Sequence, residues 1–285
     1  MSHTYRDVLN DGIRRLRNSG AEEPEADARV LFDEAFQMDA AKYLLFEREP
    51  APYSGILRYK ACLWQRESGR SVQQILCRQD FMGLSFIVSE DVLVPRMDTE
   101  ILVDTILRGL PASGEVHGLD LCTGSGCIAI SLMAHVSCSL SMDAADLSER
   151  ALDIAKRNAE LLLPRTRPVW YTGDLFQAVP ADIRYDFIVC NPPYIPSGEI
   201  AGLDAQVREH EPWMALDGGA DGLYFYNRLA AESPGHLRPG APLYLEIGAE
   251  RGESVSRILR ESGFQDIRVL QDLSGLDRVV TAVCP

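Results

Sequence analysis

The 285-residue sequence lacks any long apolar run: no stretch approaches the ~20 residues that a membrane-spanning helix needs. The N-terminal segment interleaves Arg6, Arg14 and Arg17 with apolar residues, so no signal-peptide core is apparent. The seven cysteines are odd in number, scattered and free of any C-x-x-C pair, which argues against a zinc site or a disulfide framework. We therefore expect a cytoplasmic protein with reduced thiols, no contact with membranes and no metal site.

Basic residues are also scarce, because 28 Lys and Arg stand against 42 Asp and Glu, for a formal net charge of −14. Such an acidic balance argues against a broad surface for nucleic acid, while it permits a basic protein partner. The five histidines are dispersed, and no Ser/His/Asp or Cys/His arrangement emerges. Hydrolases built on those arrangements are therefore not indicated.

The apolar period changes near residue 81. From residue 4 to about 76, apolar residues recur at helical spacing, which predicts a small helical bundle without a catalytic cluster. From Phe81 to Val94 a Gly-containing turn separates apolar residues, which predicts a hairpin. We therefore predict three regions: a helical domain over 1–80, a β-hairpin linker over 81–95 and a larger domain over 96–285. Simple packing and partner recognition explain the helical stripes equally well.

Several local details accompany this division. Asp39 is predicted to cap a short third helix, and Leu63 and Trp64 are predicted to face one way on a fourth. Asp98 or Thr99 is predicted to cap the first helix of the larger domain.

The larger domain alternates strands and helices. The predicted strands are 116–121, 140–146, 168–172, 187–190 and 242–247, followed by a terminal hairpin of 267–270 with 279–283. The intervening helices are predicted at 127–134, 148–162 and about 222–233. Such alternation is typical of an α/β, doubly wound, mostly parallel sheet, here with an antiparallel last strand.

Acidic residues follow three successive strands of this sheet. The first strand ends at Asp120 and continues into a glycine-rich loop closed by Gly126, which permits close approach of a ligand to the backbone. Asp146 ends the second strand, where a carboxylate can bind the two hydroxyls of an adenosine ribose. Asp174 follows the third strand and could accept from an adenine amino group while Leu175 or Phe176 packs on the ring. The pattern predicts an adenosine-containing cofactor.

The fourth strand ends in Asn191, Pro192, Pro193 and Tyr194. Because proline cannot donate to a sheet ladder, this strand must stop at Asn191. An amide side chain is then held at the carboxyl edge of the sheet, where open α/β sheets bind ligands.

These residues resemble class I S-adenosylmethionine-dependent methyltransferases that act on a planar nitrogen. Along nearly the whole chain the sequence is similar to the release-factor glutamine methyltransferases (the HemK/PrmC type). Asn-Pro-Pro-Tyr alone is shared with adenine-N6 methyltransferases, whereas the segment 94–100 together with the helical N-terminal region is far more specific. Further similar stretches are 81–84, 120–126, 146–148, 211–212, 215–216, 218–219, 221–223 and 245–248.

The resemblance implies a seven-stranded methyltransferase sheet over 96–285, with a helical partner-recognition domain before it. It implies a monomer that uses S-adenosyl-L-methionine, binds class I release factors and makes no direct contact with nucleic acid. The cofactor-binding residues are then Cys122, Thr123, Gly124, Ser125, Gly126, Asp146, Asp174, Leu175 and Asn191. The implied catalytic residues are Asn191, Pro192 and Tyr194. The implied substrate-binding residues are Asn191, Pro192, Pro193 and Tyr194, which would bind the substrate glutamine of a Gly-Gly-Gln loop. Cys122 and Leu175 stand where the family commonly has Gly and can have Trp.

Three alternatives stay open at this stage. A nucleic-acid adenine-N6 methyltransferase fits Asn-Pro-Pro-Tyr equally well but lacks the expected basic stripe. A methyltransferase for a ribosomal-protein glutamine is separated from the release-factor branch only by resemblance in the segment 95–100. A module that binds the cofactor or a partner without transferring methyl is disfavoured by the intact motif from Asn191 to Tyr194.

Overall fold

The N-terminal helices form a compact unit of their own in the computed structural model, which describes residues 3–285. This unit comprises the chain up to Cys77 together with residues 204–210. Its helices are α1 (Tyr5–Asn18), α2 (Pro24–Phe36), α3 (Ala40–Phe46), α4 (Tyr53–Glu67) and α5 (Val72–Leu76). Phe32 lies at the centre, where the rings of Tyr43 and Tyr59 meet it edge-on at 5.7 and 5.5 Å between centroids. Burial of such aromatic side chains dominates the stability of a small bundle.

The ends of these helices are set by local side-chain caps. Thr4 and Asp7 form a reciprocal capping box at the start of α1. The predicted cap of the third helix is confirmed, since the Asp39 carboxylate accepts from the Lys42 N–H at 2.8 Å. The predicted orientation of Trp64 is wrong: Leu63 is buried in the bundle, whereas Trp64 is 68% exposed.

A β-hairpin follows the bundle, with strands β1 (Arg78–Phe81) and β2 (Leu84–Ile87). Met82 and Gly83 form the turn, with φ of 50° and 70°, as a two-residue hairpin requires. The hairpin therefore begins at Arg78, three residues before the predicted linker, and residues 88–95 form no strand.

A seven-stranded sheet forms the second unit, which holds residues 78–203 and 211–285. Its strands are β3 (Glu115–Leu121), β4 (Ser139–Asp146), β5 (Val169–Thr172), β6 (Phe187–Cys190), β7 (Pro242–Glu246), β8 (Gln265–Gln271) and β9 (Asp277–Val283). They lie in the order β5-β4-β3-β6-β7-β9-β8. The first five are parallel, and β9 is antiparallel to both neighbours. The predicted doubly wound sheet with an antiparallel last strand is confirmed.

Helices cover both faces of this sheet. They are α6 (Glu100–Gly109), α7 (Cys127–His135), α8 (Glu149–Leu162), α10 (Trp213–Leu216), α11 (Tyr224–Glu232) and α12 (Gly252–Glu261), while α9 (Ala205–His210) belongs to the helical unit. Alternate strand residues point to opposite faces: Ile188 packs in the core under α11 and α12, and Val189 in the core under α6 and α7. Among the helices of residues 3–285, none combines the length and apolar character needed to cross a membrane.

The start of α6 differs from the prediction. A 3-10 turn over Met97–Thr99 leads into the helix, and neither Asp98 nor Thr99 caps it with a side chain. Thr99 is buried, and its hydroxyl instead lies near the carboxyl group of Glu246, whose pKa it lowers.

The strand order reverses between β3 and β6. The chain leaves β3 toward β4 on one side and reaches β6 on the other, so the carboxyl ends of β3 and β6 flank a crevice. Ligands of open α/β sheets bind at such a switch point. Asp120 lies near the end of β3, and Asn191 directly follows β6, which brings the two predicted motifs to the same edge.

Candidate active site

The glycine-rich loop is organised by a buried carboxylate. Asp120 is fully buried, and its Oδ2 accepts from the Thr123 hydroxyl at 2.6 Å and from the Ala129 N–H at 3.3 Å. These contacts tie the end of β3 to the first turn of α7. Burial raises the pKa of Asp120 to about 7, although both hydrogen bonds oppose that shift. Asp120 therefore stabilises the conformation of the loop from a buried position beneath it.

Three residues of the loop have left-handed backbones. Cys122, Gly124 and Gly126 have φ of 57°, 55° and 78°. A side chain at Gly126 would have its Cβ 2.9 Å from Ile130 and 3.1 Å from Ala155, so both conformation and space require glycine there. For Cys122 the left-handed conformation costs about 1–2 kcal/mol. That cost explains why this position suits glycine.

The predicted cofactor residues divide into two sets. Cys122, Gly124, Asp146, Asp174, Leu175 and Asn191 line one cavity of about 330 Å³, together with Pro193. Thr123, Ser125 and Gly126 do not line it: the first two are buried, and Gly126 is the residue just before α7. Gly124 has open space where a side chain would project, so its backbone faces the cavity directly.

Asp146 holds the loop from the neighbouring strand. Its Oδ2 accepts from the Gly124 N–H at 2.8 Å, and its Oδ1 accepts from the Ser148 N–H at 2.9 Å. Burial raises the pKa of Asp146, while these backbone donors lower it. Each oxygen has accepted one hydrogen bond and keeps a lone pair, so the carboxylate suits the paired hydroxyls of a ribose. An apolar cavity ending in such a group fits the adenosine portion of S-adenosylmethionine.

Asp174 is already engaged by a cation. Arg228 on α11 donates from one nitrogen to both Asp174 oxygens, each at 2.8 Å. No local sequence pattern predicts this pair, which joins residues 54 positions apart. Leu175 beside it is buried, has a left-handed φ of 49° and forms part of the cavity wall. The ion pair between Arg228 and Asp174 thus stabilises this part of the cavity wall.

The segment after β6 is fixed by close backbone packing. Pro192 and Pro193 are buried, and burial raises the pKa of Tyr194 to about 12. Added Cβ atoms at Gly218 and Gly222 would lie 2.7 and 2.4 Å from the Tyr194 backbone. Both glycines lie in stretches that carry the family resemblance, but no local sequence pattern predicts their role. The structure shows that their small size lets the chain press against Tyr194.

An ion pair between Arg96 and Glu211 links two further stretches that carry the family resemblance, 94–100 and 211–212. The Arg96 guanidinium donates to Glu211 Oε1 at 2.6 Å, and the Glu211 side chain is only 4% exposed. Burial raises the pKa of Glu211, although Arg96 lowers it. Pro212 and Trp213, which follow directly, line the cavity. The ion pair therefore anchors the start of one cavity wall, a role that the sequence left undecided.

The buried Asp120 predicts a pH dependence of stability. Because its pKa is raised in the folded state, the folded protein binds the proton more tightly, and stability falls as pH rises from about 4 through about 7. Asp120→Asn cannot ionise. Between pH 5 and pH 8, we expect the free energy of unfolding to fall less for this variant than for the wild-type protein, by on the order of 2 kcal/mol. Thermal unfolding at the two pH values measures this difference. Parallel curves for the two proteins would contradict this expectation.

Comparison with known proteins agrees with this geometry. Residues 7–76 match the family described as PrmC N-terminal domain, and residues 96–205 match the family described as Methyltransferase small domain. A release factor glutamine methyltransferase of Cereibacter sphaeroides is 40% identical over 279 residues, covering 98% of each chain. One of Moorella thermoacetica is 39% identical over 281 residues, again covering 98% of each.

The solved structure of a methyltransferase from Pyrococcus furiosus shares the fold, with a TM-score of 0.53 at 18% identity over 79% of this chain and 96% of that chain. The sheet, the glycine-rich loop and the strand-end residues define a class I methyltransferase, and its cofactor is S-adenosylmethionine. Within that class the full-length similarity is decisive. The chain belongs to the release factor glutamine methyltransferase family.

Proposed function

We propose that this enzyme transfers a methyl group from S-adenosylmethionine to the side-chain amide nitrogen (N5) of the glutamine in the Gly-Gly-Gln loop of class I release factors. The observation that carries the proposal is the position of Asn191. Asn191 directly follows β6 and lines the same cavity as Asp146 and the glycine-rich loop. An amide that can orient a planar nitrogen is therefore held beside the proposed cofactor site.

The cavity residues have separable tasks. Asp146 would hold the ribose hydroxyls, Gly124 would allow close backbone approach, and Leu175 would pack on the adenine. S-adenosylmethionine, when bound, supplies an electrophilic methyl group on a sulfonium. The apolar wall would exclude water from it.

Orientation of the substrate amide is the main requirement, because its nitrogen lone pair is delocalised into the carbonyl. The Asn191 Oδ1 and the Pro192 carbonyl are proposed to accept the two N–H groups of the glutamine. Tyr194 would pack on the flat amide. These acceptors hold the nitrogen in line and stabilise the positive charge that develops on it. No dedicated base is required, since the methylated nitrogen becomes acidic and can release its proton to water.

The helical unit is proposed to recognise the release factor. Leu44, Leu45, Tyr53 and Trp64 are each at least two-thirds exposed, and α3 buries none of its residues. Exposed large apolar side chains of this kind support a partner-binding role for the helical unit. We infer a monomeric enzyme that acts in the cytoplasm and binds no nucleic acid directly.

A double substitution tests this surface. Leu44→Asp with Leu45→Asp should raise the KM for intact release factor about tenfold or more, because two apolar contacts are replaced by charges. Binding of S-adenosylmethionine should not change. The matched control is Leu273→Asp, which alters a fully exposed leucine in the turn between β8 and β9. Equal KM values for the two variants would contradict the assignment.

Labelled methyl transfer tests the function as a whole. The enzyme should label a release factor but not a factor whose Gly-Gly-Gln glutamine is replaced by alanine. Ribosomal protein and adenine-containing DNA, added as competitors, distinguish the other two methyltransferase functions. Preferential labelling of either competitor would replace the proposal.

A further inference from the structure

Glu246 lies beside Asn191 because of strand register. In the parallel pair β6 and β7, Cys190 is the partner of Leu245, so the next residues, Asn191 and Glu246, are neighbours at the carboxyl edge. Neighbouring strands are about 4.8 Å apart, and side chains of paired residues point to the same face. The two side chains therefore share one side of the sheet edge.

The Glu246 side chain is buried and restrained. It is 2% exposed, and the Thr99 hydroxyl and the Asn191 amide lie close enough to its carboxyl group to favour the charged form and lower its pKa. Its backbone carbonyl accepts from the Tyr226 hydroxyl at 2.9 Å. The second carboxyl oxygen, Oε2, is buried without a hydrogen-bond partner within residues 3–285. Glu246 thus has spare acceptor capacity beside Asn191.

Within residues 3–285, Glu246 has no ion-pair partner of its own. Arg278 acts on it through space, but the Arg278 guanidinium pairs with Asp272 at 3.0 Å and with Asp98 at 3.2 Å. Buried polar groups generally require hydrogen-bond partners. The neutral donors Thr99 and Asn191 fill that role.

A carboxylate can only accept hydrogen bonds, whereas an asparagine amide has a donor end and an acceptor end. Resting on the proposed function, we propose that Glu246 is a positioning residue that holds the Asn191 nitrogen toward itself and so turns the Asn191 oxygen toward the substrate amide. A reversed Asn191 would present N–H groups to the N–H groups of the glutamine. Glu246 therefore selects the catalytically useful orientation.

Glu246→Gln is the direct test, because it keeps the size of the side chain but can donate as well as accept. We expect kcat with saturating release factor and cofactor to fall about tenfold, while the Kd for S-adenosylmethionine changes by less than about twofold. The matched control is Asp143→Asn, which neutralises another carboxylate buried in the same sheet, on β4. The control should retain near wild-type kcat.

A double-mutant cycle separates positioning from general stability. If Glu246 acts only through Asn191, adding Glu246→Gln to Asn191→Ala should lower kcat by less than about twofold further. An equal loss in both backgrounds, or equal kcat for Glu246→Gln and Asp143→Asn, would overturn the inference. A wild-type rate for Asn191→Ala alone would instead overturn the proposed function.

The wild-type protein offers a second measurement that does not depend on folding of a variant. Burial raises the pKa of Glu246 to about 7. The titratable groups that influence it or are influenced by it are Arg278 on β9, Asp98 before α6, Tyr194 after β6, Tyr226 on α11 and Cys127 on α7. The side-chain amide protons of Asn191, followed by NMR between pH 5.5 and about 8.5, should shift with a midpoint near that pKa. Invariant resonances would overturn the inference.

Discussion

Asn191→Ala should lower kcat on the order of a hundredfold or more, as removal of other preorganised polar groups does. Its oxygen is proposed to hold an N–H whose nitrogen becomes positive only as the methyl group arrives. An interaction that strengthens in the transition state lowers kcat when it is removed, with little effect on ground-state binding. The Kd for S-adenosylmethionine should therefore change far less than kcat. Single-turnover methylation of a release factor and titration calorimetry measure the two quantities.

Asn191→Asp is a second variant at the same position, and it tests the proposed role of Asn191 more specifically. It keeps the shape of the side chain and an acceptor oxygen, but it adds a charge beside the buried Glu246 carboxyl. We expect the variant to bind cofactor and to remain impaired in transfer. A near wild-type rate for Asn191→Ala, or equal labelling of a factor without the Gly-Gly-Gln glutamine, would refute the mechanism.

Asp146→Ala should weaken binding of S-adenosylmethionine about tenfold to a hundredfold, which corresponds to roughly 1.5–3 kcal/mol. The substitution removes the proposed acceptor of two ribose hydroxyls. It also removes the acceptor of the Gly124 and Ser148 N–H groups, so the loop loses its link to β4. Titration calorimetry on the purified variant measures the change in Kd.

Two variants control the Asp146 experiment. Asp146→Asn keeps one acceptor oxygen and should lose less affinity than the alanine variant. Asp153→Ala removes an exposed carboxylate on the neighbouring helix α8 and should leave Kd unchanged. An unaltered Kd for Asp146→Ala would show that another group binds the ribose.

The parallel strands could be predicted because each is a short segment with apolar residues that ends near a polar residue, a glycine or a proline. Pro192 and Pro193 end β6, and the glycine-rich loop ends β3, so the motifs at the edge of the sheet were readable from local chemistry. The same reasoning placed Asp146 and Asn191 at one crevice. Their shared cavity follows from strand order, which alternation and handedness largely determine.

The remaining features depend on contacts between distant residues. Asp174 was predicted from its position after a strand, but its partner Arg228 lies on α11 and shares no local pattern with it. Glu246 looked like the end of an apolar strand, and only the pairing of β6 with β7 brings it to Asn191. The helix α12 was missed because its ten residues are rich in charge and its apolar positions are few. Such tertiary relations override local sequence preference.

The helical unit is discontinuous in the chain, because it includes α9 as well as the first 77 residues. The Gln74 side chain donates to the His210 carbonyl, and the His210 ring lies 3.1 Å from the Ser68 carbonyl. Roughly 130 residues separate Cys77 from the end of α9. At typical translation speeds of about 5–20 residues per second, the ribosome needs about 6 to 26 seconds to make them. During that interval the nascent helical unit lacks its last segment, so folding during synthesis cannot be completed strictly from the N-terminus onward.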